Sequence, residues 1–278
     1  MFRTISVKKT MGAAVLAGAC AWGFGGQAMA GGMYEPPAPA EVPPAPAAAG
    51  PELSANIALT SDYVFRGVSQ TDEGPAVQGG FDVVYSILYA GVWASNLDFG
   101  GADTDTDGIP DADVANIEMD WYAGIKKEFS GVEVDLGVIY YAYPNAFDGR
   151  PAAELDYVEF KGGLSGSLAG FDLGFTMFFS PEYTAEVGEN WVFEGSVERA
   201  LPDFGPFSPS VSALVAYNDG EEPDGGVDYW YWNAGLSLGF LEHYSFDVRY
   251  WDTDIGSCGG RTVFQCDERV VATIKGEF

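Results

Sequence analysis

The sequence predicts an all-β protein: a transmembrane antiparallel β-barrel of about twelve strands, with N- and C-termini periplasmic. Three observations carry this. After residue 53, twelve segments alternate apolar and polar residues with a period of two, the spacing that gives a strand one apolar and one polar face. Their separators alternate between short ones, such as "SG" at Ser130 and "AG" at Ala169, and longer polar or acidic ones, as turns and external loops do around an outer-membrane barrel. The chain also ends "DERVVATIKGEF", alternating up to Phe278, where a terminus would ordinarily fray. A last strand that pairs with the first removes the free sheet edge.

The N-terminus predicts export. "MFRTISVKK" is basic, "MGAAVLAGACAWGF" is apolar and small, and Ala28-Met29-Ala30 forms an A-x-A site. This is the layout of a secretory signal peptide over residues 1–30, cleaved after Ala30. Lipid attachment at Cys20 is disfavoured, because Ala17 stands where a larger aliphatic residue is wanted. Cleavage removes Arg3, Lys8 and Lys9 and no acid, so the formal net charge moves from −28 to −31. A polyanion of that size excludes nucleic acid as a partner. Residues 31–52 are Pro/Ala-rich and predict an extended periplasmic linker or tail. The barrel is expected over 53–278. No run in it approaches ~18 apolar residues, so no spanning helix is expected.

The predicted strands are 53–66, 77–86, 89–99, 115–129, 132–143, 154–168, 171–180, 190–200, 209–218, 227–240, 244–253 and 267–278. Alternation is clearest in three. Val132, Val134, Leu136, Val138, Tyr140 and Ala142 flank Glu133 and Asp135. Phe171, Leu173, Phe175, Met177 and Phe179 flank Asp172 and Thr176. Trp230, Trp232, Ala234, Leu236, Leu238 and Phe240 flank Asn233 and Ser237. Tyr63, Phe65, Trp93, Phe99, Trp121, Phe129, Trp191 and Tyr250 fall near strand ends, where barrels carry interfacial aromatic girdles. A soluble sandwich has no need of so many terminal aromatics. Phe278, on the apolar face, is expected to be read by the outer-membrane assembly machinery.

If the apolar positions face lipid, the alternate ones line the lumen. These are Asp62, Arg66, Asp82, Asp98, Glu118, Asp120, Lys126, Glu133, Asp135, Glu159, Lys161, Glu194, Glu198, Asp247, Arg249 and Lys275. Acids dominate, which favours cations in a pore. The same charges could instead pair across strands and fill a narrow interior. Arg66, with Gln70 and Asp72, is expected near the mouth, or paired with Asp62 or an acid of a neighbouring strand.

"DTDTDGIPDAD" offers Asp103, Asp105, Asp107 and Gly108 in the order that opens a Ca²⁺ loop, with Asp111 and Asp113 adding oxygens. Val114 stands where an EF-hand glutamate would close the site. The readings are a weak Ca²⁺ site and a solvated acidic loop. Cys258 and Cys266 fall in the last long loop, and export predicts a disulfide between them. The sole histidine, His243, lies in a short turn. No two carboxylates group convincingly, so no catalytic residues are expected and the chain reads as a non-enzyme.

The block Ser61 to Phe99 resembles the TorF-type porin family, proteobacterial outer-membrane barrels. The likeness rests on Ser61-Asp62-Tyr63, Arg66-Gly67, Ser69-Gln70, Pro75-Ala76, Gln78-Gly79 and Tyr89-Ala90-Gly91, and on the C-terminal "CDERVVATIKGEF". The resemblance implies a barrel with a pore, without naming a solute. Together these readings predict a porin-like passive channel for small solutes in the outer-membrane lipid, leaning to cations. The alternative is a non-conducting structural or partner-binding (adhesin-like) barrel.

Overall fold

The computed structural model describes residues 50–102, 112–144, 146–147, 154–220, 226–256 and 265–278. Residues 1–49, with the expected signal and most of the linker, lie outside them, as do Asp103, Asp105, Asp107, Asp111 and Cys258.

Twelve long strands form the body: β1 (Glu52–Thr60), β2 (Ala76–Tyr85), β3 (Leu88–Asn96), β4 (Ile117–Phe129), β5 (Val132–Ala142), β6 (Tyr157–Leu168), β7 (Phe171–Ser180), β8 (Asn190–Ala200), β9 (Phe207–Gly220), β10 (Tyr229–Phe240), β11 (Tyr244–Thr253) and β12 (Arg269–Glu277). Each pairs antiparallel with its chain neighbour, and β1 also pairs with β12, so the sheet closes into a barrel. At the seam, Asn56 stands opposite Glu277 and Thr60 opposite Thr273. Phe278 donates its N–H to the Ala55 carbonyl at 2.9 Å and accepts from Ala55 N–H at 2.8 Å. Phe278 therefore extends the ladder of the seam, and the twelve-stranded sheet is closed without a free edge.

The two ends of the barrel differ. Ser86-Ile87, Ser130-Gly131, Ala169-Gly170, residues 201–206 and Leu241–His243 are short turns, all at the end that also holds the two barrel termini. In two of them both central residues have left-handed backbone: Ser130 and Gly131 at φ 54 and 83, Ala169 and Gly170 at φ 55 and 79. These turns match the twist of the strands they join. The opposite end carries the long connections.

The distribution of polarity is inverted relative to a water-soluble core. Leu53, Phe81, Trp121, Leu136, Phe160, Val215 and Leu236 are exposed on the outer wall, while Glu118, Asp120, Glu159 and Arg249 are buried inside it. Period-two alternation produces this directly, since successive side chains point to opposite faces. Glycines on the inner wall make room for aromatic rings. Tyr89 lies over Gly124 and Gly137, and Tyr122 over Gly91, each so closely that a Cβ would collide with the ring.

Two expectations need correction. The first segment does not run to residue 66: β1 ends at Thr60, and a short hairpin of Val64–Phe65 and Val68–Ser69 follows. Tyr63, Phe65, Trp93 and Phe99 are no part of an outer girdle: Tyr63, Trp93 and Phe99 are 2%, 1% and 8% exposed and packed in the interior, and Phe65 packs edge-on against the buried Tyr141. Trp93 shares its face with Gly91 and Ser95, the inward set. Trp121, Phe129 and Tyr250 are outward and exposed.

Replacing Gly124 with Val should displace Tyr89 and its 2.8 Å hydrogen bond to Asp135. We expect a loss of about 1–3 kcal/mol, read by urea unfolding from lipid vesicles. Gly162→Ala, whose nearest neighbour atom is 3.9 Å away, should stay within about 0.5 kcal/mol of the parent.

Candidate functional site

The inward face divides into two layers. Toward the short turns, Tyr89, Gly91, Lys126, Glu133, Asp172, Thr176, Ser196, Glu198 and Asp247 are all partly exposed. Toward the long loops, Trp93, Ser95, Glu118, Asp120, Tyr141, Glu159, Phe178, Val192, Asn218, Tyr231 and Trp251 are buried. Asp82, Asp135, Ser237, Arg249 and Lys275 of the turn-side layer are buried as well, so the lumen is more open toward the turn end without being open throughout it.

What fills the lumen toward the long loops is the connection from β1 to β2, which folds into it rather than away from it. Its base is tied to the nearest wall. Asp62 accepts from Ser69 Oγ at 2.7 Å and Thr71 Oγ1 at 2.9 Å, and pairs with Arg269 of β12 at 3.0 Å. Tyr63 packs edge-on against Trp93 of β3, with ring centroids 5.4 Å apart, and donates its hydroxyl to Glu118 of β4 at 2.6 Å. Burial first, then the Glu118 carboxylate, raises the Tyr63 pKa well above its usual value, so this hydroxyl keeps its proton and remains a donor.

The tip crosses the barrel. Arg66 Nη1 lies 2.8 Å from Glu159 Oε1, and Nη2 lies 2.9 Å from Oε2. Glu159 is on β6, on the opposite side of the closed sheet from β1 and β12. The two side chains are 1% and 0% exposed. Tyr141 donates to Glu159 at 3.1 Å and holds the carboxylate in place. Three rings surround the guanidinium: Phe65 at 4.7 Å, Phe178 at 5.4 Å and Tyr183 at 5.8 Å from their centroids. Burial acts to lower the Arg66 pKa, but Glu159 and the nearby tyrosines outweigh it and hold it raised. Gly67, at φ 83, lies against Tyr231 of β10 and Thr253 of β11, where a Cβ would not fit. Only glycine meets both demands.

The hairpin layer is rich in carboxylates. Glu118, Asp120, Glu159 and Glu194 share it, and Tyr231 donates to Glu194. Asp120 Oδ1 and Trp93 Nε1 are buried and have no hydrogen-bond partner among the described residues.

The turn-side layer is a cup in which four bases pair with acids. Asp135 accepts from Lys161 at 2.7 Å and from Tyr89 at 2.8 Å. Lys126 lies 3.5 Å from Glu133. Arg249 pairs with Asp247 at 3.0 Å and donates to Asn233 at 2.7 Å and Ser212 at 2.9 Å. Tyr122 donates to Asp82, and Lys275 pairs with Glu277. Glu198 stands in register with Asp172 and Ser212.

Every residue expected on the inner face lies there or in the hairpin, with one correction. Asp98 is beyond the end of β3 and exposed in the loop, because β3 stops at Asn96. Arg66 pairs with neither Asp62 nor an adjacent strand. Gln70 is buried, and Asp72 is exposed. Cys266 is buried and disulfide-bonded. Asp113 is exposed, and the remaining aspartates of the acidic loop fall outside the described residues. Among the described residues, no three His, Cys, Asp or Glu side chains converge as a metal site. His243 stacks on Phe278 at the turn end, with centroids 5.9 Å apart. Sequence reasoning missed the buried aromatics Tyr141, Tyr157, Phe178, Tyr183 and Tyr231. The signal for Tyr141 was its parity with Asp135.

The family described as "Bacterial protein of unknown function (Gcw_chp)" matches residues 44–278. No curated relative matches the chain. Among solved structures, the chain is similar to a porin refined at 1.8 Å, with 13% identity over 82% of this chain and 100% of that one, at a TM-score of 0.36. It is similar to Salmonella typhi OmpF in complex with daunomycin, with 10% identity over 82% and 97%, at 0.42. It is similar also to LpxR from Salmonella typhimurium, with 10% identity over 81% and 99%, at 0.43.

Replacing Glu159 with Gln leaves a buried guanidinium with half a partner. We expect a loss of about 3–5 kcal/mol in urea unfolding from vesicles. Arg66→Met with Glu159→Leu, which removes both charges, should lose markedly less.

Proposed function

We propose that this chain, which belongs to the Gcw_chp family, is an outer-membrane barrel acting as a porin-like channel for small solutes, leaning to cations, with passage set by the first-loop hairpin. The observation that carries this reading is the inverted polarity of a closed sheet. An apolar exterior suits lipid, and a charged lumen suits water and solutes. The resemblance of the Ser61–Phe99 block to TorF-type porins points the same way.

The outer wall also suggests an orientation. Lys127 and Arg199, outward-facing and close to short turns, lie over Phe129 at 5.1 Å and Phe171 at 4.5 Å. Such pairs suit a headgroup layer, where a long side chain reaches phosphate while its stem stays in the apolar zone. At the other end, outward Tyr140 and Tyr217 donate to Asp156 and Asp228. In this reading the short turns and both termini face the periplasm, and the long loops face outward. Signal removal after Ala30 and recognition of Phe278 by the assembly machinery belong to the same reading. So do a Cys258–Cys266 disulfide and weak Ca²⁺ binding by the 103–113 loop.

The cation leaning rests on the four carboxylates in the hairpin layer. A second reading, a non-conducting partner-binding barrel, is favoured by the burial of that same layer. Single-channel recording in planar bilayers separates them. The wild type should give small or infrequent steps. A variant in which a Gly-Asn-Gly turn replaces residues 62–74 should give larger ones, since Thr60 and Ala76 already stand opposite each other. A salt gradient should give a cation-directed reversal potential. An anion-directed potential would contradict the leaning, and silence from both folded barrels would favour the partner-binding reading. Independently, Leu136→Arg, at a site 51% exposed on the outer wall, should cost about 2–4 kcal/mol if that wall meets lipid near the bilayer midplane.

A further inference from the structure

The contacts around Arg66 have the composition of a ligand site. Most of them come from the barrel and its other loops. Glu159 supplies a carboxylate that meets the guanidinium fork through both oxygens, at 2.8 and 2.9 Å. Tyr141 fixes that carboxylate with a 3.1 Å hydrogen bond. Phe178 and Tyr183 supply ring faces at 5.4 and 5.8 Å. Tyr183 also accepts a 3.4 Å hydrogen bond from Arg66. A planar carboxylate flanked by aromatic faces is the arrangement that selects a guanidinium over a spherical cation.

Two more observations point to a cation at this place. The layer holds more carboxyl groups than Arg66 meets, and the Oδ1 atom of Asp120, a residue only 1% exposed, has no hydrogen-bond partner among the described residues. The occupying side chain is also held in an uncommon way, since Arg66 has a left-handed backbone at φ 50. For a residue other than glycine that conformation is unfavourable, so release of the tip relieves it.

We propose that Glu159, Tyr141, Phe178 and Tyr183 form a receptor for guanidinium-type organic cations, occupied in the resting barrel by Arg66 as a tethered stand-in. A solute carrying a guanidinium group competes with Arg66 for Glu159, frees the hairpin and opens the lumen. The inference rests on the channel reading and adds a substrate class to it. A tethered ligand acts at an effective concentration in the millimolar range or above, so a free competitor works at millimolar levels or higher. Lys161, 15% exposed and two residues from Glu159 on the same face of β6, marks the point where the turn-side cup meets this cage.

The test uses the full barrel refolded in bilayers, with guanidinium chloride as the probe and sodium chloride at equal ionic strength as the reference. In the wild type, millimolar guanidinium should raise open probability several-fold where sodium does not. In Arg66→Ala the lumen should conduct without the probe. Guanidinium should then block it at concentrations about tenfold below those at which methylammonium does. Adding Glu159→Gln to Arg66→Ala should abolish that selective block. If Arg66→Ala conducts but guanidinium and methylammonium act alike, the receptor is overturned and the channel stands. If Arg66→Ala does not fold, the wild-type titration decides, and equal responses to guanidinium and sodium overturn the proposal. If every folded barrel is silent, the channel reading fails. Binding of ¹³C-guanidinium to Arg66→Ala, read by NMR, then tests the receptor by itself: saturable binding lost with Glu159→Gln supports it, and its absence overturns it.

Discussion

A guanidinium enclosed inside a barrel constrains everything around it. Arg66 reaches the far wall from a loop that starts between β1 and β2, so the loop must lie across the lumen. Its charge is removed from water, so Glu159 must meet it with two short contacts. An unpartnered buried ion would be far more costly than the lost hydration of a paired one. The carboxylate needs Tyr141, the guanidinium needs aromatic faces, and the tip needs glycine at position 67 to turn against Tyr231 and Thr253. The base of the hairpin meets the same demand at Asp62 and Arg269. Two buried ion pairs, one near each side of the barrel, thus hold a loop of fifteen residues, 61–75, inside the lumen.

The barrel makes this arrangement possible, because closing the sheet satisfies the backbone and leaves both faces to the side chains. The outer face becomes apolar and the inner face polar. The inner face then has two characters. Near the short turns, Lys126, Lys161, Arg249 and Lys275 pair with acids in a layer that is partly exposed. Near the long loops, carboxylates and tyrosines pack, buried, around the hairpin. From the turn end the lumen is a polar cup with a closed floor. That floor depends on one loop.

Most of the barrel was legible in the sequence, for a physical reason. Period two is a local property. Val132 to Ala142 and Trp230 to Phe240 announce their outward sides without reference to any partner, and Ser130-Gly131 and Ala169-Gly170 mark tight turns by composition. The hairpin was not legible. "SDYVFRGVSQ" continues the alternation of β1, so it reads as six more residues of strand and then a loop. Its inward fold depends on Glu159, 93 residues away. The inner aromatics were misread for a related reason. Trp93 suggests a lipid interface by its chemistry, whereas its parity with Gly91 and Ser95 puts it inside. In a lumen that holds a plug, aromatic residues belong on both faces, and parity is the better guide.

The central claim is that Arg66 reaches Glu159 across the lumen of the folded barrel in a membrane. Solid-state NMR dipolar recoupling between ¹⁵N-labelled Arg66 and the ¹³C-labelled side-chain carboxyl of Glu159, in lipid bilayers, measures that contact directly. The account predicts a nitrogen-to-carbon separation of about 3–4 Å, the distance of a paired fork. A separation beyond about 8 Å, with the barrel folded and Asp62 still paired with Arg269, would contradict it, because the tip would then lie off the far wall and the lumen would be open.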